Sequence, residues 1–329
     1  MEPVLQQAPQ LHTEIISWFT ANARDLPWRR PECSPWGVFV SEVMLQQTPV
    51  VRVLPVWNEW MKRWPTPSAL AAEPSGEAVR AWGRLGYPRR ALRLHAAAAA
   101  MTERFNGAVP GTRDELLTLP GVGTYTAAAV ASFAFGRRET VVDTNIRRVH
   151  ARALSGKALP APALNAAEMR LAVALLPEDD AASVAWNVSV MELGALVCTA
   201  RSPKCAACPV QHRCAWLAAG EPAPEYVPKG QAWAGTDRQV RGALMAVLRQ
   251  ARVPVPRNLL LGPPDLITAG SASADGTSTG AAADNGPHVA ALSKLRALQA
   301  PPAQLERALA GLLADRLAEE NDAGLQLPA

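Results

Sequence analysis

The sequence predicts an all-α fold. Three observations carry that expectation: apolar residues recur at helical spacing from His12 to about Cys198, proline and glycine interrupt the pattern at short intervals, and nowhere is apolar/polar alternation sustained as a half-buried strand requires. A chain of 329 residues has room for about two domains of roughly 150 residues each. The hydrophobic fraction of 49% is ordinary, and no window reaches the roughly 18 uninterrupted apolar residues of a membrane span. The opening MEPVLQQAPQ lacks the basic start and apolar run of a secretion signal. A cytoplasmic protein with no membrane partner is expected.

Taken in order, the periodicity predicts helices over 10–23, 36–46, 50–63, 75–83, 88–105, 112–119, 124–135, 144–154, 165–176 and 181–196, a helical core of residues 1–197. A cysteine loop, 198–214, follows. Residues 215–236 include EPAPEYVPKG, whose prolines mark a linker. The C-terminal region, 237–329, contains two amphipathic stretches, QVRGALMAVLRQA and QLERALAGLLADRLAEE. Between them lies a Gly/Ser/Ala-rich segment, 267–288, of the composition of a flexible linker. The ending LLADRLAEENDAGLQLPA reads as a helix, a turn and a short strand, so the preferred reading of this region is a small winged-helix-like module. After Trp233 there is no Phe, Tyr or Trp, hence no ring on which a base could stack.

Net charge is +4, and its distribution is uneven: residues 1–230 hold 24 Lys+Arg against 20 Asp+Glu, and residues 231–329 hold nine against nine. A modest basic excess permits a polyanionic partner without requiring one. Only five of the 33 cations are lysines, Lys62, Lys157, Lys204, Lys229 and Lys294.

Four of the five cysteines, Cys198, Cys205, Cys208 and Cys214, are spaced C-x6-C-x2-C-x5-C. Disulfides are disfavoured in a cytoplasmic chain, and four thiolates on one compact loop suit either a tetrahedral zinc or an iron–sulfur cluster. Zinc sites favour two separated C-x2-C knuckles. With only one such knuckle, the spacing favours the cluster. His212 is better read as an exposed loop histidine than as a ligand, and Cys33 as a small, partly buried side chain.

Residues 112–135, TRDELLTLPGVGTYTAAAVASFAF, set a Pro-Gly-Val-Gly turn between two helices. Gly121 and Gly123 let the backbone turn with its amides unhindered, and a helix N-terminus with free N–H groups is a phosphate site. This is the helix-hairpin-helix pattern of sequence-independent DNA binding, although a plain αα-hairpin with a glycine turn has the same outline. Farther on, VVDTNIRRVHARAL places Asp143 before a helix, where an isolated Asp is most simply an N-cap. In SEVMLQQTPV a lone carboxylate, Glu42, sits inside an apolar run. By itself it could be the polar edge of an amphipathic helix.

Taken together, SEVMLQQT, WGRLGYPRRALRLH, LPGVGTYTA, VVDTNIRRV, MELGALVCT and the four-cysteine loop resemble, in order and spacing, the adenine DNA glycosylases, the MutY-like branch of the helix-hairpin-helix superfamily. The resemblance covers about residues 10 to 230. It implies a two-lobed helical glycosylase domain, one 4Fe-4S cluster held by Cys198, Cys205, Cys208 and Cys214, and a monomer, bacterial and nucleoid-associated, that hydrolyses adenine from duplex DNA where it is mispaired with 8-oxoguanine or guanine. An adenine inside a duplex must first be flipped into a pocket. Its departure then needs a proton on the base and negative charge beside an oxocarbenium-like sugar. Glu42, desolvated among Val40, Val43, Met44 and Leu45, resembles the family's general acid, its pKa raised by burial. Asp143, at a helix start where dipole and amides favour the ionised form, matches the residue that stabilises the sugar cation. Tyr125 and Asn145 match positions that support them.

The resemblance also implies DNA contacts. Gln47 and Tyr87 match residues that wedge into the base stack, Thr48 and Leu85 match contacts near the opposite base, and Trp28, Arg29 and Glu192 resemble lining of the adenine side. Tyr125 stands where strand-cleaving relatives carry a lysine, and no lysine lies between Lys62 and Lys157. Base excision without efficient strand cleavage is expected, because a Schiff-base lyase needs an amine. Residues 237–329 do not look like the Nudix-like domain that many family members use for 8-oxoguanine, which leaves strong 8-oxoguanine selectivity in question. Two other readings compete: a different helix-hairpin-helix mismatch glycosylase, and a catalytically inert iron–sulfur DNA-binding protein.

Overall fold

The computed structural model describes residues 6–227, 230, 232–262 and 288–329. The segment expected to be flexible, 267–288, lies outside the described residues except for His288. The described residues are overwhelmingly helical, and the chain forms two compact units: residues 1–46 with 103–229, and residues 47–102 with 230–329.

The first unit contains α1 (Ala8–Asn22), a 3-10 turn (Pro27–Arg29), α2 (Pro35–Leu45), α7 (Arg113–Leu117), α8 (Thr124–Phe135), α9 (Thr144–Ala153), α10 (Ala166–Ala174), α11 (Asp180–Leu196) and the short α12 (Ala215–Ala218). Its core gathers Leu11 and Ile15 of α1, Ala128 and Ala129 of α8, Ile146 and Val149 of α9, and Trp186, Val190 and Leu193 of α11. Helix α2 starts with Pro35 in its first turn and Ser34 as N-cap, accepting from the Gly37 amide at 3.2 Å. Every residue from Trp36 to Met44 is buried. A helix apolar on all sides belongs in an interior, and that placement is what desolvates Glu42. Helix α8 ends at Gly136, whose φ of 66° is the left-handed C-cap conformation glycine adopts without strain.

The second unit contains α3 (Val50–Arg63), α4 (Pro67–Ala71), α5 (Ser75–Ala81), most of α6 (Arg89–Arg104), α13 (Asp237–Gln250), α14 (Arg257–Leu261), α15 (His288–Arg296), α16 (Pro302–Ala314) and the strands β1 (Glu319–Asn321) and β2 (Gly324–Gln326). Trp60, Trp64 and Trp82 are fully buried here and meet edge to face, with ring centroids 4.9 and 5.7 Å apart.

From α13 onward the order is helix, a bridge at Val255, helices, then an antiparallel hairpin in which Leu325 pairs back to Val255. That is the order of a winged helix, as the sequence suggested. One expectation is corrected: the amphipathic run expected to stay helical to Glu320 stops at Ala314. Arg316 turns left-handed (φ 57°), and Leu317 and Ala318 drop into the core before the hairpin. Helices α4, α12, α14 and α15 were not anticipated. The first three are five residues or fewer, too short for the periodicity to register; α15 begins at His288, where the stretch read as a flexible linker ends.

Candidate active site and cluster loop

Helix α2 packs on α8, and the pairing brings Glu42 to Tyr125. The Tyr125 hydroxyl donates to Glu42 Oε2 at 3.0 Å, and Gln46 Nε2 donates to Thr126 Oγ1 at 3.1 Å one turn along. Glu42 is only 6% exposed. Burial raises its carboxyl to about 7, the Tyr125 hydrogen bond and the Arg29 charge pull it down, and the Asp143 charge pushes it up. Burial and the nearby Glu42 and Asp143 charges push the Tyr125 phenol well above its ordinary range, so it stays a neutral donor.

Asp143 is the N-cap of α9, as its sequence position suggested. Its Oδ1 accepts from the Ile146 amide and its Oδ2 from Asn145 Nδ2, both at 2.7 Å. The Ile146 and Asn145 hydrogen bonds favour the carboxylate, as the helix-start position suggested, while burial works against them and leaves the Asp143 pKa above its ordinary value. A buried carboxyl, Glu42, and a half-buried one, Asp143, therefore act on one another, and the charge of Asp143 is one of the causes that raise Glu42.

A third acid is handled differently. Glu192 of α11 is fully buried, and burial alone would raise its pKa. Arg24 donates to it through Nε at 2.7 Å and Nη2 at 2.6 Å, and Arg29 adds Nη2 at 2.9 Å, so the net result is about 2. Glu192 is a fixed anion, linked to Glu42 through Arg29, which donates to Glu192 and whose charge also acts on the Glu42 carboxyl. Arg24 was not singled out from the sequence, because an arginine just beyond a helix end carries no periodic signal. Trp28 is buried on the 3-10 turn that also carries Arg29.

Behind Asp143 the hydrogen bonds continue. Arg148 Nη2 donates to Asn145 Oδ1 at 2.7 Å and to the Gly194 carbonyl at 2.6 Å, and Arg148 Nε donates to the Cys198 carbonyl at 2.6 Å. Asp143, Asn145, Arg148 and the first cysteine of the loop thus form one connected chain. Gly194 makes it possible: a Cβ there would lie 2.7 Å from Asn145 Cβ and 2.8 Å from the Asn145 carbonyl oxygen. Gly194→Ala is expected to push α9 off α11, and since a 1 Å misplacement can cost about a hundredfold in rate, base release should fall by about 10–100-fold. Single-turnover kinetics on protein that keeps its visible absorbance will check it.

Cys198, Cys205, Cys208 and Cys214 are all free thiols and line one largely apolar cavity with Val149, Leu193 and Trp216. Burial, then the proximity of the other three cysteines, pushes the Cys208 thiol up to about 11 despite a backbone hydrogen bond. Four thiols that repel one another as anions need positive charge between them. Arg152 supplies part, with Nη1 3.5 Å from Cys198 Sγ. Among the described residues no three His, Cys, Asp or Glu side chains converge as ligands of a single metal ion. His212 stays out, 3.7 Å from Glu14 on the surface.

The hairpin forms as expected. Gly121 has φ 75°, which favours glycine, whereas Gly123 is extended and serves as a bare N-cap of α8. A Cβ at Gly123 would meet nothing within 4 Å, so its role is to leave the amides of α8 open rather than to relieve strain.

In the second unit, Gln47 (φ 54°) and Tyr87 (φ 47°) are both exposed and both left-handed, a conformation uncommon for residues with a Cβ. Thr48 and Leu85 are buried, with Thr48 Oγ1 3.5 Å from the Leu85 carbonyl. Arg90 ties the two segments together. Its Nη2 donates to Thr48 Oγ1 at 3.0 Å and to the Gly86 carbonyl at 3.2 Å, and its guanidinium lies over Trp82 and Tyr87. Burial lowers its pKa to about 10, which leaves it charged at neutrality.

Comparison with known proteins agrees with this geometry. Residues 40–172 match the family model of the HhH-GPD superfamily base excision DNA repair proteins, and residues 198–214 match the iron-sulfur binding domain of endonuclease III. The chain is 53% identical over 244 residues to the adenine DNA glycosylase of Mycolicibacterium smegmatis, covering 74% of this chain and 82% of that protein. It is 41% identical over 209 residues to the human adenine DNA glycosylase, covering 61% and 38% respectively. Among solved structures, a thermostable thymine-DNA glycosylase superposes with a TM-score of 0.58 at 27% identity, over 65% of this chain and 98% of that one. A trapped endonuclease III–DNA covalent intermediate gives 0.56 at 26%, over 66% and 99%.

Proposed function

The chain belongs to the adenine DNA glycosylases of the helix-hairpin-helix base-excision repair superfamily, and on that premise we propose that it excises adenine mispaired with 8-oxoguanine or guanine, with Glu42 as general acid. The observation that carries the reading is a buried carboxyl poised near neutrality, held by the Tyr125 hydroxyl and within reach of the charge of the half-buried Asp143.

In this scheme Glu42 gives its proton to a ring nitrogen of the flipped adenine. The C1′–N bond breaks with its electron pair leaving on the base. Asp143, oriented by Asn145 and the Ile146 amide, stabilises the sugar cation or briefly bonds to it. Water then supplies oxygen to C1′ and returns a proton to Glu42, leaving free adenine and an abasic site. Trp28, Arg29 and Glu192 line the adenine side, with Arg24 locking Glu192 in place. Gly121 and Gly123 present backbone amides to phosphate. Gln47 and Tyr87 enter the base stack while Thr48 and Leu85 contact the opposite base.

The four cysteines are proposed to hold a 4Fe-4S cluster, whose bonds to thiolate close the loop. About four irons per chain and visible absorbance are expected of the purified protein; zinc without iron would contradict this. The described helices include none long and apolar enough to cross a membrane.

The assignment is tested on duplexes carrying A:8-oxoguanine, A:G, T:G or an oxidised pyrimidine. Free adenine should appear from the first two alone, and borohydride should trap no covalent protein–DNA adduct, because Tyr125 replaces the lysine that lyases use. Release of thymine or of the oxidised base, with adenine retained, would overturn it.

A further inference from the structure

The loop Trp82–Pro88 carries Leu85 and Tyr87 and is closed from within by Trp82 Nε1, which donates to the Gly86 carbonyl at 2.9 Å. Gly83 (φ 55°), Gly86 (φ 86°) and Tyr87 (φ 47°) are all left-handed, and Tyr87 is 55% exposed. Arg90 adds a second internal tie, and both ends of the loop are also tied to the C-terminal winged helix of the same unit.

Two residues before Trp82, Arg80 runs into the end of α13. Its Nη1 donates to the carbonyls of Arg249, of Ala251 at 2.8 Å and of Leu248 at 3.5 Å, while its Nε is fixed by Glu77 at 2.8 Å. Arg249 returns the contact, donating from Nε to the Val79 carbonyl at 3.1 Å. At the start of α5 the Gly76 amide donates to the Pro328 carbonyl at 2.8 Å, so close that a Cβ on Gly76 would sit 2.4 Å from that oxygen. Two residues after Tyr87, Arg89 Nη1 meets Asp315 Oδ1 at 3.2 Å, and Asp315 is held from the other side by Arg241 at 2.5 Å.

The module itself is poorly equipped to read DNA. Helix α16, the position of a recognition helix, exposes Glu306, Arg307, Ala310 and Ala314, with Glu306 paired to Arg257 and Arg307 to Asp237. The wing tip is Asn321, Asp322 and Ala323. No cationic face that would neutralise phosphates is present among these residues.

We propose that the C-terminal winged helix is a specificity element of the glycosylase that works as a brace: through Arg80 and the Arg89–Asp315 pair it clamps the Trp82–Pro88 loop at both ends and so sets how sharply the enzyme distinguishes a mispair from A:T. Arg80, Arg89 and Asp315 are positioning residues. The proposal rests on the reading of Tyr87 and Leu85 as contacts with the base stack.

The test uses the full chain and the ratio of Kd on A:T to Kd on A:G or A:8-oxoguanine duplexes. Arg89→Ala, which removes the exposed partner of the pair, should lower the ratio by about threefold to fivefold, and Asp315→Ala, which also frees Arg241, by at least as much. The double variant should do no more than Asp315→Ala alone, because that variant already removes the Arg89 contact. Arg80→Ala should lower the ratio further, and should Arg80→Ala fail to fold, the exposed pair carries the test alone. The single-turnover rate at saturating enzyme should stay within about twofold, since the catalytic groups keep their positions. Arg307→Ala should change nothing. The proposal is overturned if all brace variants keep wild-type discrimination while Tyr87→Ala loses it. It is also overturned if Arg307→Ala weakens binding and flattens its salt dependence, which would mean direct DNA contact. Should Tyr87→Ala itself be silent, the wedge reading falls first and the brace with it.

Discussion

Glu42→Gln is expected to lower single-turnover adenine release by about 10²–10⁴-fold while leaving mispair binding within a few-fold of wild type. Glutamine keeps the shape and can still accept the Tyr125 hydrogen bond seen at 3.0 Å, so lost activity reports the lost proton. The same substitution should stabilise the protein at alkaline pH. A carboxyl lifted from 4.5 to about 7 by burial contributes favourably when protonated, and that contribution fades as pH rises through the folded value. Above it, the native state must hold a desolvated charge, at a cost of up to about 3 kcal/mol at roughly 1.4 kcal/mol per unit. Glu42→Gln should therefore melt several degrees higher than wild type at pH 8 and close to it at pH 4. A variant both inactive and more stable is the signature of an acid placed for function.

Asp143→Asn is expected to cost about 10²–10³-fold in the same assay, the usual scale for removing one preorganised charge from a developing ion. The asparagine oxygen can still cap α9 through the Ile146 amide, bonded to Asp143 Oδ1 at 2.7 Å. The asparagine Nδ2 then faces Asn145 Nδ2, which donates to Asp143 Oδ2 in the native protein, so stability should fall by about 1 kcal/mol. Its second consequence concerns Glu42: with the neighbouring negative charge gone, the Glu42 carboxyl should titrate lower, because the Asp143 charge is one of the causes that raise it. Residual activity of Asp143→Asn should then fall off at lower pH than wild type. Unchanged excision would remove Asp143 from the scheme.

How much of this was legible in the sequence differs by residue. The helices were, because glycine and proline end them locally: Ser34-Pro35 starts α2 and Gly136 ends α8. Asp143 as an N-cap was legible for the same reason, since capping depends only on near neighbours. The titration of Asp143 was not, because the local amides argue for an anion and the burial that outweighs them comes from distant packing. Glu42 with Tyr125 are 83 residues apart, and only the resemblance connected them. Arg24 and Arg90 escaped notice in a chain with many arginines, and Arg148 was visible only as one of several on the helix after Asp143. What marks them is the carboxylate, ring or carbonyl they reach, and that exists only once the fold does. The hairpin after α16 was partly visible, but Arg316 turning left-handed overrode the helical periodicity through Leu317 and Ala318.

The most direct test of the central claim, that a buried acid at Glu42 drives adenine out, is the pH dependence of single-turnover excision from an A:G duplex at saturating enzyme. The rate should be high on the acid side and fall about tenfold per unit above pH 7, as the protonated fraction of Glu42 declines, with no such inflection in Glu42→Gln. A rate flat or rising through pH 7, or an identical inflection in Glu42→Gln, would contradict the account.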